Sequence, residues 1–269
     1  MIEAILALVF GLLIGSFLNV CIHRWPRNRS VVRPRSHCVR CRKMIPWYDN
    51  IPLVSYVLLG GRCRYCKARI SVRYPVVEAL TGALFCYIVA VNGPTLVAVK
   101  LCLFTAMILA LIFSDLEKRI LPDEFTVGGL MLGLVLSFFV PVPDVTAHAV
   151  LWLLGIEWPT RWASFAESVL GAGAPSIFLW GGGWIYFKLR HREGLGFGDV
   201  KLIAMVGSFL GLRGALFTLV AGSVAGSVIG LAYIKLTGKD AGTYELPFGT
   251  FLGVAALVAA LFERYLLPL

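Results

Sequence analysis

Asp115 and Asp199 are the residues of this chain best placed to do chemistry. Asp115 follows the charge-free run Leu101 to Ser114, and Asp199 closes Gly196-Phe197-Gly198-Asp199 ahead of another apolar run. Two carboxylates brought close cannot both ionise easily. They share one proton, which leaves one group as a base to activate water and the other as an acid toward a peptide carbonyl. That is aspartic-protease chemistry. The two glycines let the backbone at Asp199 approach its partner or an extended substrate closely. Each aspartate alone also fits a plainer role, Asp199 as a helix N-cap and Asp115 as a solvated end of a span. Their common depth on one side of a membrane favours the paired reading. Asp123, just after Pro122, reads as a helix-start residue, and Glu78 as a carboxylate that pairs with an arginine or binds a cationic ligand.

A second constellation is Cys38-Val39-Arg40-Cys41 with Cys63-Arg64-Tyr65-Cys66, two C-x2-C knuckles 21 residues apart. This spacing encloses a tetrahedral zinc in four thiolates, and four cysteines leave no open position, so the metal is structural. Paired disulfides or a redox C-x-x-C are the alternative, and cytoplasmic exposure argues against stable disulfides. Cys21, Cys86 and Cys102 lie in apolar runs and read as packing residues. His23, His37, His148 and His191 show no metal spacing, and neither a G-x-S-x-G elbow nor a Ser-Lys arrangement stands out.

The elements that must position these groups are membrane helices. Of 269 residues 58% are hydrophobic, and the mean hydropathy is +0.81, far above an ordinary soluble domain. Apolar stretches near residues 3–22, 76–92, 96–114, 125–141, 168–188, 200–212, 214–235 and 248–267 predict an all-α polytopic protein of about eight transmembrane helices. Asn92-Gly93-Pro94 and Gly211-Leu212-Arg213-Gly214 read as turns between neighbours. Lys and Arg outnumber Asp and Glu by 25 to 15, but the excess sits mainly in one segment, so nucleic acid is not the expected partner.

The uncharged run from Ala4 to Ile22, followed by His23, Arg24 and Arg27, reads as an uncleaved signal-anchor with its N-terminus outside. Threading about eight spans from there puts both termini outside and residues 23–75, 115–124, 189–199 and 236–247 in the cytoplasm. Lys100, Arg161, Arg213 and Arg264 are the exceptions, and those near span ends reach the interface by snorkelling. Three parts result: residues 1–22, the first transmembrane helix; 23–75, a cytoplasmic zinc-binding domain; and 76–269, a seven-helix core. The basic zinc domain is suited to lie on anionic membrane lipids. Residues 142–167, with Trp152, Trp158 and Trp162 among Asp144, Glu157 and Arg161, read as an interfacial amphipathic segment outside. No internal repeat is visible.

At these residues the chain resembles the type IV prepilin peptidases, the bifunctional leader peptidase/N-methyltransferases among the GxGD intramembrane aspartyl proteases. The resemblance runs in order through Gly15-Ser16-Phe17-Leu18-Asn19-Val20 with Arg24 and Pro26, Arg35-Ser36-His37-Cys38, the four cysteines, Asp49-Asn50-Ile51-Pro52, Ser71-Val72-Arg73-Tyr74-Pro75 and Glu78. It continues through Asp115, Leu121-Pro122-Asp123, Gly196 to Lys201 and Pro247-Phe248-Gly249. The tryptophan-bearing segment 142–167 departs from the family's shorter pattern.

The resemblance implies a bacterial inner-membrane enzyme. It would cleave the short basic leader of prepilins and pseudopilins on the cytoplasmic side, then methylate the new N-terminal amine from S-adenosylmethionine. Asp115 and Asp199 become the protease pair, and the zinc-bearing loop supports methyl transfer. A neutral amine poised against a sulfonium methyl needs carboxylates or amides nearby. Glu78, Asn19, Asn50 and Arg73 are the candidates for the methyl donor, and Asp49, Glu117 or Glu193 could offset the basic domain's repulsion of a basic leader. Two other classes stay open at this point: a transporter whose aspartates carry protons or cations, with the zinc domain as a docking module, and a structural platform of a pilus or secretion machine.

Overall fold

The computed structural model describes residues 1–142, 146, 149, 155, 158–191, 196–238 and 246–266, with side chains to Phe262. Asp144, Trp152, Glu157 and Glu193 lie outside the described residues. The secondary structure described is helical, apart from two isolated β-bridges. The chain divides into two compact units, Met1–Ala110 and Leu111–Leu269.

In the first unit, α1 (Ile2–Arg24) packs along α3 (Arg73–Asn92). Small residues permit the approach. A methyl group on Gly15 would sit 2.7 Å from the Glu78 Cα, and one on Gly11 2.8 Å from the Gly82 Cα, the close backbone contact that glycines allow between membrane helices. At the end of α1 the buried Arg24 turns back on the chain that follows, donating to the carbonyls of Ser30 at 2.9 Å and Pro34 at 2.7 Å. The connection to α3 holds two short 3₁₀ turns, Trp25–Arg27 and Trp47–Asn50, and the single-turn α2 (Val54–Leu58). From Trp25 to Val72 only Pro52 and Ser55 are buried. This loop therefore has no apolar core.

The helix α4 (Leu96–Lys118) carries Phe104, Ile108 and Leu111 fully buried and ends just beyond Asp115. Lys100, expected to snorkel, is instead buried. In the second unit α5 (Asp123–Phe139), α6 (Thr160–Arg190), α7 (Phe197–Thr237) and α8 (Phe248–Leu266) pack around α7, which touches each of the other three. Gly171 of α6 lies against Gly207 and Gly211 of α7, backbone to backbone. Helical geometry in α7 breaks once, at Gly211, with φ 74° and ψ −171°, a conformation open mainly to glycine. The turn predicted at Gly211-Leu212-Arg213-Gly214 is this break.

Every apolar stretch predicted from the sequence is helical here, to within a few residues except in α6, which starts eight residues early. Among the described residues four helices are long and apolar enough to cross a membrane: Ile2–Arg27, Arg73–Asn92, Leu96–Lys118 and Phe197–Thr237. The other expected spans fall short for separate reasons. α5 has 17 residues, the apolar part of α8 is described only over Phe248–Phe262, and α6 dilutes its apolar residues with glycine, serine and indole rings.

Candidate active site and metal centre

The last turn of α4 and the first turns of α7 and α8 form one polar cluster in the second unit. Asp115 is 5% exposed and Asp199 9%, so neither is a solvated helix end. Nor does Asp199 cap its helix, since Gly196 holds the N-cap position and Asp199 lies three residues inside. The two carboxylates interact electrostatically. They stand 84 residues apart in sequence, on separate helices.

Leucine and glycine set this spacing. Methyl groups on Gly198 and Gly249 would lie 3.3 and 3.1 Å from the side chain of Leu121, and the one on Gly249 would also lie 3.2 Å from the Asp115 Cγ. Leu121 thus fills the space between the starts of α7 and α8. The glycine of Pro247-Phe248-Gly249 leaves room for Asp115. Thr250 was not singled out from the sequence, yet it makes the closest contacts with the pair: its backbone N–H donates to Asp115 Oδ2 at 2.6 Å and its hydroxyl donates to the same oxygen at 2.8 Å. The signal available was its position directly after the Pro-Phe-Gly motif. Asp123, the first residue of α5, accepts from Lys201 Nζ at 2.7 and 2.8 Å, so it ties α5 to α7 as well as starting a helix.

In the first unit the four cysteines meet, their sulfurs all within 4.8 Å of one another. Cys38 and Cys66 Sγ are 3.8 Å apart. Four sulfurs about 2.3 Å from a central zinc would stand about 3.8 Å apart along each tetrahedral edge, so the residues fit the metal. The two knuckles repeat one backbone pattern. Arg42 N–H donates to Cys38 O and Lys67 N–H to Cys63 O, Cys38 N–H donates to Lys43 O and Cys63 N–H to Ala68 O. Arg42 and Lys67 both take left-handed φ, 57° and 55°, and bridges pair His37 with Met44 and Arg62 with Arg69. This is a short internal repeat that the sequence reading missed, because only the cysteines are shared at chemically decisive positions. Backbone hydrogen bonds from Cys66 and Tyr65 push the Cys63 thiol down to about 7. Arg64 donates to both carboxylate oxygens of Asp49 at 2.6 and 2.5 Å and holds Asp49 below the usual carboxylate range.

Three of the four methyl-donor candidates gather where α1 meets α3. Asn19 donates to the carbonyls of Gly15 at 3.2 Å and Tyr74 at 3.0 Å, while its own Oδ1 is buried and has no hydrogen-bond partner among the described residues. Glu78 accepts from Leu53 N–H at 2.9 Å and bonds Ser16. Arg73 opens α3 and lies over the Tyr74 ring, 4.7 Å from its centroid. Asn50 stands apart from these contacts, on the wall of a cavity of about 320 Å³ that it shares with Ser16, Phe17, Arg24, Arg35 and Ser36.

A helical membrane protein with an acid pair at its helix ends and a four-cysteine loop defines a narrow class. The segment 9–91 matches the bacterial peptidase A24 N-terminal domain, and 102–231 matches the type IV leader peptidase family. Similar proteins named prepilin leader peptidase/N-methyltransferase occur in Myxococcus xanthus (38% identical over 236 residues, covering 88% of this chain and 64% of that protein) and Pseudomonas putida (33% over 281 residues, 95% and 89%). A third, from Pseudomonas aeruginosa, is 33% identical over 277 residues, 94% of this chain and 88% of that protein. No solved structure matches. The chain belongs to the type IV leader peptidase family.

Proposed function

We propose that this chain cleaves the leader peptide of prepilins or pseudopilins at the cytoplasmic face of the bacterial inner membrane and N-methylates the residue thereby exposed. The observation that carries the peptidase half is the meeting of Asp115 and Asp199, from separate helices, within electrostatic reach of each other. Such a pair activates one water against one amide. Their helix-end positions let substrate enter from the aqueous side without dragging a carboxylate through hydrocarbon.

For methyl transfer, S-adenosylmethionine supplies an electrophilic methyl group when bound. Glu78, Asn19, Asn50 and Arg73 are the residues assigned to hold the donor and receive the amine, and Asn19 Oδ1 is a buried acceptor among them with no partner among the described residues. Zinc at Cys38, Cys41, Cys63 and Cys66 is structural. It shapes the loop of residues 23–75, between the first transmembrane helix (1–22) and the peptidase core (76–269).

The membrane reading follows from helix length. The 41 residues of α7 would extend about 60 Å as one rod, twice the hydrocarbon thickness, and Gly211 divides them into two passes. With α1, α3, α4, α5, α6 and α8 this makes about eight spans, and positive-inside placement leaves both termini outside and the zinc loop in the cytoplasm. The test is to incubate purified protein with a prepilin, with and without S-adenosylmethionine, and to weigh the products. Cleavage and a methyl mass increment are expected from the unaltered chain. Asp115→Asn and Asp199→Asn are each expected to reduce cleavage to a small residue of the unaltered rate, and full cleavage in either variant refutes the assignment.

A further inference from the structure

We propose that Thr250 is a positioning residue that fixes the division of labour in the acid pair: Asp115 is the base and Asp199 the acid. This rests on the peptidase reading above. The argument starts from donors. Thr250 directs both its N–H and its hydroxyl at one oxygen, Asp115 Oδ2, at 2.6 and 2.8 Å. The alternative acceptor for the hydroxyl, Ile112 O, is 3.4 Å away, near the limit of a hydrogen bond, so the hydroxyl hydrogen belongs to the carboxylate. Two donors on one carboxyl oxygen stabilise the ionised form of Asp115. No donor among the described residues reaches the Asp199 carboxylate, so the shared proton resides there.

Asp115 Oδ1 is then the free oxygen of the base. It takes a proton from water as the water oxygen bonds to the scissile carbonyl carbon, and Asp199 gives its proton to the carbonyl oxygen. In the collapse, Asp115 returns its proton to the amide nitrogen, Asp199 recovers one from a hydroxyl of the tetrahedral intermediate, and the C–N bond breaks. The products are a carboxyl group and an amine. Both aspartates end as they began.

Thr250→Val keeps the backbone donor and the side-chain shape and removes only the hydroxyl. Losing one hydrogen bond to a charged group lowers kcat by about tenfold to a hundredfold, with KM for a prepilin peptide unchanged, because Thr250 touches the catalytic pair and not the substrate. Thr250→Ser restores the hydroxyl and most of kcat. Wild-type kcat in Thr250→Val, or a Ser variant as slow as the Val one, overturns the positioning role. If Val unfolds the protein, as judged by thermal melting in detergent, Thr250→Ala takes its place in the same comparison. The roles are read separately: an amide at 199 still donates an N–H to the carbonyl oxygen, so Asp199→Asn keeps more residual turnover than Asp115→Asn, and the opposite order refutes them. Full cleavage in either Asn variant removes the peptidase assignment itself, whereas strongly reduced cleavage in both with an unaffected Thr250→Val removes only this inference.

Discussion

The zinc loop is the part of the molecule whose stability depends most on one feature. Between Trp25 and Val72 only Pro52 and Ser55 are buried, so apolar burial cannot offset the entropy of ordering this backbone, about 1–2 kcal/mol per residue. The Arg64–Asp49 pair, whose guanidinium side chain is 47% exposed, is a single ion pair and adds little. On the zinc reading proposed above, the metal supplies the difference. Structural zinc binding to four thiolates contributes on the order of 10–16 kcal/mol near neutral pH. A quarter of that per ligand is about 2.5–4 kcal/mol, so Cys63→Ser should weaken zinc affinity by roughly a hundredfold to a thousandfold. The assay is zinc content by mass spectrometry after dialysis against a chelator that leaves the unaltered protein loaded. Alongside it, limited trypsin digestion should cut the Arg- and Lys-rich stretch of Arg29 to Arg69 only in the stripped or substituted chain. The helices should stay intact, because α1 and α3 pack on each other through Gly11 and Gly15, independently of the knuckles. Methyl transfer should fall before leader cleavage. Full zinc retention in Cys63→Ser with a trypsin-resistant loop would refute the staple, and equal loss of both activities in folded protein would refute the division between them.

Gly249→Ala places a methyl 3.2 Å from the Asp115 Cγ and 3.1 Å from Leu121, so the carboxylate must move by tenths of an ångström; cleavage is expected to drop about tenfold with the melting temperature little changed. Gly207→Val drives a side chain into the Gly171 carbonyl oxygen of α6, where backbone cannot yield, and should cost more than the roughly 1–3 kcal/mol of ordinary overpacking, read as a lowered melting temperature in detergent. The pH response of the zinc loop has a definite sign at Asp49. Arg64 depresses its folded-state value below the unfolded one of about 3.9, so this contribution is complete above about pH 4 and disappears as pH falls through the lower value. Trypsin-independent probes such as hydrogen exchange at residues 47–51 should therefore show no change between pH 5 and 8 that Asp49→Asn abolishes.

What could be read in the sequence was whatever depends on period, charge or spacing. Uncharged runs marked the helices to within a few residues, except that α6 begins at Thr160 against an expected start of 168. Glycine at 211 marked the break in α7, since no other residue sits easily at φ 74°. The cysteine spacing alone placed four sulfurs together. Contacts set by tertiary packing were not readable. Nothing in the order Pro247-Phe248-Gly249-Thr250 shows that the threonine closes on an aspartate 135 residues earlier, and Lys201 gives no sequence sign of meeting Asp123. Lys100 was misjudged for the related reason that a charge near a span end has two outcomes, the interface or an interior partner, and only packing selects between them.

Helix polarity explains why the acid pair lies where it does. Asp115 occupies the last turn of α4, where the carbonyl end of the helix carries partial negative charge and disfavours an anion. That cost is offset from outside the helix. α8 begins at Phe248, and its exposed N–H groups and positive end point at Asp115 through Thr250. Asp199, in the first turn of α7, holds the proton and needs no such help. Leu121, wedged against Gly198 and Gly249, keeps the two helix starts on either side of one small space. Two helix N-termini thus face one shared proton and one negative charge, an arrangement that two carboxylates buried along the middle of their helices could not obtain, since interior N–H groups are already bonded within the helix.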